Sequence, residues 1–234
     1  MSETLGKMEK PEASQFKNGR KLFFVPLIFK TTEEDAALAK LTSTYWDEVE
    51  KQLANLEFKL SDIKRVYHEL LPGEERIKRL AELSIGSHRI IESLIGRGAA
   101  LTEIEDDDIM DEFSDWGRCL SVGLRSPAVF GKVYDAYQES GKKREEHIAK
   151  RIDETLQADE TAVVFMREGH RVQFPTDIQV FYVAPPSLDA LQRAQRERQE
   201  KLQREAESHV HEEEKSGHKP KEEQPADKPQ KESS

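Results

Sequence analysis

Leu22-Phe23-Phe24-Val25-Pro26-Leu27-Ile28-Phe29 is apolar almost without interruption, and its place ahead of an amphipathic segment sets the fold class. A short apolar run without alternation suits a strand covered on both faces of a sheet. Pro26 removes one ladder donor, so the strand is expected to bulge there or to lie at a sheet edge. Thr32 then offers a helix N-cap, and Glu33, Glu34 and Asp35 suit the positive end of a helix. Leu38, Leu41, Tyr45, Val49, Leu53 and Leu56 recur at steps of three and four, the stripe of an amphipathic helix. Ile63 to Leu70 (IKRVYHEL) carries β-branched and aromatic residues, is closed by Pro72-Gly73 and reads as a second strand. A second helix runs from Glu74 to Gly96, with Ile77, Leu80, Ile85, Ile90, Ile91, Leu94 and Ile95 covering much of its circumference. Strand, helix, strand, helix argues for right-handed βαβ units.

Beyond this core, Glu103 to Asp108 leads into a short helix with Ile109, Phe113, Trp116 and Leu120 on one side. Ser126-Pro127 starts another helix that reaches Leu156, with Val133, Tyr137, Ile148, Ile152 and Leu156 inward and Gly141 as a point of bending. Thr161 to Met166 (TAVVFM) and Ile178 to Val183 (IQVFYV) are strands. The intervening Arg167 to Asp177 is short for a parallel crossover, which leaves their relative direction open. The predicted fold is α/β: a mostly parallel sheet of about four strands with flanking helices. Pro185-Pro186-Ser187 caps a last helix of alternating Arg, Glu and Gln, whose core positions also take Gln195 and Arg198, so a charged, projecting helix is favoured over a stable coiled coil. The divisions are a flexible lead over 1–19, the α/β domain over 20–186, the charged helix over 187–208 and a disordered tail over 209–234.

Charged residues are 35% of the chain and hydrophobic ones only 36%, the balance of a folded core diluted by solvated segments. The formal net charge is −10, and the stretch from Leu191 onward holds ten Lys or Arg against eleven Asp or Glu, so the acidity lies in the body. An acidic body repels phosphate backbones and anionic lipid, so neither nucleic acid nor membrane is an expected partner. Cys119 is the single cysteine, which excludes an internal disulfide and a cysteine-rich zinc motif; between Trp116 and Leu120 it reads as a small buried residue. The lead-in has no apolar signal core and Leu22 to Phe29 is too short to span a bilayer, so a cytoplasmic protein is expected.

No phosphate loop, G-x-G-x-x-G turn, G-x-S-x-G elbow, H-E-x-x-H pair or calcium loop occurs in the sequence. The acids Glu103, Glu105, Asp106, Asp107, Asp108, Asp111, Glu112 and Asp115 could gather a cation, but their spacing better suits the capping of a helix N-terminus, and no metal site is expected of them. His68-Glu69 ends the second strand, where α/β sheets present groups to a ligand crevice. His170, in Arg167-Glu168-Gly169-His170-Arg171, stands at the same level past the third strand if the two run parallel. His68, Glu69 and His170 are therefore the candidate catalytic set: imidazoles to move a proton and a carboxylate to orient them or act as acid or base. His88 reads as a core residue and His147 as a surface one. His209, His211 and His218 are too irregularly spaced for a metal site; the sequence leaves any cofactor unknown, with a small-molecule or haem-type carrier in the same crevice as a third reading.

The pattern Arg144-x-x-His147-Ile148-Ala149-x-Arg151-Ile152, then Ala162-Val163-Val164-Phe165, His170-Arg171-Val172 and Asp177-Ile178 resembles the closing segment of the TraB/Tiki superfamily over residues 143–183. It departs from that segment at Arg167, where the family turn has glycine. Erythromycin esterases, ChaN-like haem-binding proteins and Tiki proteases look like relatives of this group. The resemblance implies a hydrolase or metal-binding site using His170 together with Glu69. The residues themselves favour a binding or interaction module, with an unidentified protein partner meeting the C-terminal helix.

Overall fold

In the computed structural model the opening apolar run becomes β1 (Arg20–Pro26), the second-from-last strand of a five-stranded sheet. The structure describes residues 18–29, 36–70, 80–81 and 84–216, the backbone alone from 205 onward. The Thr32 cap, the helix start at Glu74 and most of the terminal segments lie outside these residues. After β1 come α1 (Ala36–Lys59), β2 (Arg65–His68), α2 (Ile85–Gly96), β3 (Ala100–Thr102), α3 (Asp107–Ser121), α4 (Pro127–Thr155), β4 (Thr161–Met166), β5 (Ile178–Tyr182) and α5 (Pro186–Ser216).

The strand order is β3-β2-β4-β1-β5 and every pairing is parallel. β4 and β5 flank β1, which is therefore interior. Pro26 is neither at an edge nor at a bulge: it is the last residue of β1, paired in register with Met166, and its nitrogen faces the β5 side, where pairing stops at Phe24, so the missing donor costs nothing. The freed end is fastened from the side, because Tyr45 of α1 donates its hydroxyl to the Pro26 carbonyl at 2.5 Å. β3 is a strand without a counterpart among the sequence expectations. β4 and β5 are parallel, and residues 167–177 cross over β1 between them without a helix.

Side-chain alternation divides β1 and β4 between two cores. Leu22, Phe24, Ala162, Val164, Met166 and Ile178 pack against Ile148, Ile152 and Leu156 of α4, and the crossover covers the same face with Val172. On the other face Trp46 of α1 meets the Phe165 ring at 6.3 Å, and α2 lies against α1, with Arg89 paired to Asp47 and Glu50. Connections from β1 and β2 run on the α1 face and those from β3 and β4 on the α4 face, as right-handed crossovers require when the direction of winding reverses. The acids of the sequence cap α3: Asp106 is its N-cap, its carboxylate accepting from Ile109 N at 3.1 Å, and Asp107 and Asp108 fill the first turn.

Several expectations need correction. Gly141 does not break α4, which runs from Pro127 to Thr155; its missing side chain leaves room for the Phe113 ring, 3.4 Å from where a Cβ would stand. The helix expected from Glu74 to Gly96 is interrupted at Ser84, whose extended backbone and hydroxyl start α2 anew, and Ile85 is exposed rather than core. Cys119 is exposed, because α3 packs along one side of α4 and buries none of its residues fully. His88 is largely buried, its side chain 20% exposed, and it reaches the surface at Glu92, 3.3 Å away.

The chain divides into two compact units, Met1–Leu191 and Gln192–Ser234. The first takes in the start of α5, where Leu188 and Leu191 are buried and Ser187 donates its hydroxyl to Glu48 at 2.6 Å. In the second, the helix continues to Ser216, past the expected boundary at Ser208. Among the described residues no helix is long and apolar enough to cross a membrane.

Candidate functional site

The carboxyl ends of β2 and β4 are neighbours in the sheet, with His68 level with Phe165, and the site grows from this edge. Glu69 keeps its backbone in the ladder, donating its N–H to the Phe165 carbonyl at 2.9 Å. Its carboxylate then extends the pairing by one residue, accepting Arg167 N at 2.6 Å on one oxygen and Arg167 Nε at 2.7 Å on the other. Arg144, reaching in from α4, donates Nη2 to Glu69 at 3.0 Å and Nε to Glu105 at 3.0 Å. Glu105 closes the arrangement, for it also accepts Leu70 N at 3.0 Å where the chain leaves β2. Leu70 has φ 65°, a left-handed conformation costly to a branched side chain, and this hydrogen bond holds it there.

The result is an alternation of two carboxylates and two guanidinium groups, buried except for Arg167 at its outer end. Burial alone would raise the Glu69 pKa, but Arg167 and Arg144 outweigh it and hold the group below the ordinary 4.5. Burial likewise opposes the charge on Arg144, and Glu105 with Glu69 outweighs that. Arg144 is also placed over the Phe113 ring, 5.4 Å from its centroid. Removing one member of such a set leaves a buried charge uncompensated.

Of the expected catalytic set, only Glu69 lies at the centre. The His68 ring stacks on Phe165, on the α1 face, with Nδ1 against the Glu69 carbonyl and Nε2 buried without a hydrogen-bond partner among the described residues. Burial pushes its pKa down to about 4, so it is neutral near pH 7. The His170 ring packs on Phe24 at 4.9 Å and on Phe174 at 5.8 Å, on the α4 face. Val172 N donates to its Nδ1 at 3.2 Å, which leaves the ring proton on Nε2. Burial lowers its pKa below 6.5, although Glu69 and Glu145 pull the other way. The two imidazoles therefore occupy opposite faces of the sheet, and the carboxylate between them is engaged by arginines.

Arg167 belongs to the strand-end run that the sequence marks around His170, whereas Arg144 and Glu105 complete the site without having been singled out for it. A signal for Arg144 was present: it precedes Ile148 and Ile152 at steps of four, on the stripe that faces the sheet. Glu105 follows the buried Ile104 inside an otherwise exposed acidic run, and nothing local separates it from its neighbours.

Arg167 is the outer member of the cluster, about half exposed, and it opens onto a groove of about 980 Å³ between α4 and the 167–177 crossover. Phe113, Tyr137, Ala149, Arg167, His170 and Arg171 are among its lining residues. Phe113 and Tyr137 stack on each other at 4.9 Å, giving the groove an aromatic wall. Among the described residues no three His, Cys, Asp or Glu side chains are placed to share a metal ion. No protein-family model matches the chain, and no curated protein or solved structure is significantly similar to it.

Proposed function

We propose that this chain is a binding module, with the groove beside Arg167 as its small-molecule site and the charged helix beyond Ser187 as its surface for a protein partner. One observation carries the first part. Glu69 accepts from two arginines on three donors, so its lone pairs are spent on fixing Arg167 at the groove rather than on taking a proton. A carboxylate held below its ordinary pKa by two guanidinium groups is a weak base, and His68 is walled off on the other face. A concave site at the carboxyl edge of a parallel sheet, preformed and mixed in polarity, is what ligand recognition needs. The acidity of the body disfavours nucleic acid and anionic membrane as partners.

A hydrolase or metal-dependent enzyme of TraB/Tiki type, using His68, Glu69 and His170, is the second reading. What favours it is the charge of Glu69 acting on His170 at the groove. Ligand-observed NMR of the full chain against a library of metabolite-sized compounds separates the two. Hits that are lost in Tyr137→Ala and recovered unchanged after incubation support the binding module. Turnover of a hit, abolished by His170→Gln, supports the enzyme. A library that gives no hit sensitive to Tyr137→Ala removes the groove from both.

A further inference from the structure

The crossover that forms one bank of the groove places Arg167, His170 and Arg171 within five residues, in a protein whose net charge is −10. Each has donors left over. Arg167 gives Nε and Nη2 to Glu69 and keeps Nη1 open among the described residues. His170 uses Nδ1 as an acceptor, which makes Nε2–H its remaining donor. Arg171 has its backbone N–H tied to Glu145 at 2.8 Å, and its guanidinium meets no partner among the described residues. Of the acids on the opposite bank, Glu145 is committed to that backbone and Glu146 to Lys142 at 3.6 Å, while Glu139 is exposed.

We infer that the groove takes a small organic anion, a carboxylate or a phosphate monoester with an aromatic or apolar body, its charge seated on Arg167, His170 and Arg171 and its body against Phe113 and Tyr137. This rests on the binding-module reading and specifies the ligand class. The physical case is preorganisation. A guanidinium clamped by a buried carboxylate loses little side-chain freedom when it meets an anion, and its planar fork matches carboxylate and phosphate oxygens. Glu69 neutralises part of the Arg167 charge, so Arg171 and the neutral His170 donor supply the remaining attraction. The aromatic wall adds area for a body larger than an inorganic ion.

The test is titration of the full chain, followed by NMR, with phenyl phosphate, benzoate, inorganic phosphate and the neutral benzyl alcohol. Saturable binding of an aromatic anion is expected, with benzyl alcohol weaker by at least about tenfold, as the loss of charge-assisted hydrogen bonds implies. Arg171→Ala and His170→Gln, both on the groove bank, should each weaken the anion several-fold and leave benzyl alcohol unaffected. They keep the inference testable if Arg167→Met, which frees a buried carboxylate, fails to fold. Phenyl phosphate ahead of benzoate identifies a phosphate site, and the reverse order a carboxylate site. Equal binding of benzyl alcohol and the anions, indifferent to these substitutions but lost in Tyr137→Ala, overturns the anion inference and leaves the binding module standing. Absence of any saturable binding at the groove overturns both.

Discussion

For single side chains, the chemistry turns on charges that cannot reach water. Arg144 is held by Glu69 and Glu105, and all three are buried. Arg144→Met keeps the length of the side chain and removes the charge, leaving two carboxylates with Arg167 as their remaining cation. The expected cost is about 3–5 kcal/mol, measured by urea denaturation at neutral pH, because breaking a buried ion network exposes an uncompensated charge. A loss below about 1 kcal/mol would mean that water reaches the cluster and that it is an ordinary surface pair. His68 makes the opposite case, a buried ring better off neutral. Its pKa falls from 6.5 in the unfolded chain to about 4 in the fold, so protons bind preferentially to the unfolded state between those values. Its contribution is therefore fully present above pH 6.5 and is lost as the pH falls through about 4, by about 3 kcal/mol in all. In His68→Phe this part of the pH dependence should vanish, while stability at pH 7 changes little because an unpartnered buried nitrogen goes with the ring. An unchanged slope between about pH 6 and pH 4 would assign the acid sensitivity to other groups.

Among the helices and strands, what the sequence makes legible is whatever has a period. The stripe from Leu38 to Leu56 specifies α1, and the apolar runs at Leu22 and Thr161 specify the inner strands, because burial on both faces leaves no other use for such runs. β3 escapes notice for the same reason. Ala100-Leu101-Thr102 is three residues long, half-exposed at a sheet edge and placed between Gly98 and an acidic run, so it carries no pattern. The site is legible by the same measure. His68, Glu69 and His170 stand out as residue types at strand ends, but which face each ring takes depends on strand order and register, which no local pattern encodes. The start of α2 is capped locally by Ser84, but the contact two residues on is tertiary. Gly86 sits against the Trp46 ring so closely that a Cβ there would lie 2.1 Å from ring carbons. Helix propensity alone makes Gly86→Ala stabilising by about 1 kcal/mol. The contact predicts the reverse, a loss of about 1–3 kcal/mol from overpacking, accompanied by a shift in tryptophan emission because Trp46 is buried. A stabilised Gly86→Ala with unaltered emission would place α2 away from that ring.

Across the full chain, the sheet and the groove belong to the unit that ends at Leu191, and the helix beyond it belongs to a second unit. The boundary is physical. Leu188 and Leu191 are buried and Ser187 is bonded to Glu48, whereas Leu202 is about half exposed among charged residues. A chain ending at Leu191 should therefore melt within about 2 °C of the full chain, since residues 192–204 are exposed or only partly buried. A chain ending at Pro185 forfeits two buried leucines at about 1.5–3 kcal/mol each and should melt on the order of 10 °C lower. Anion binding at the groove should survive the first truncation. Self-association or partner binding, measured by sedimentation, should be lost in it if the charged helix is the contact surface. Persistence of the assembly in the shorter chain would move that surface onto the α/β unit, where Val129, Phe130 and Tyr134 leave an apolar patch on the first turns of α4.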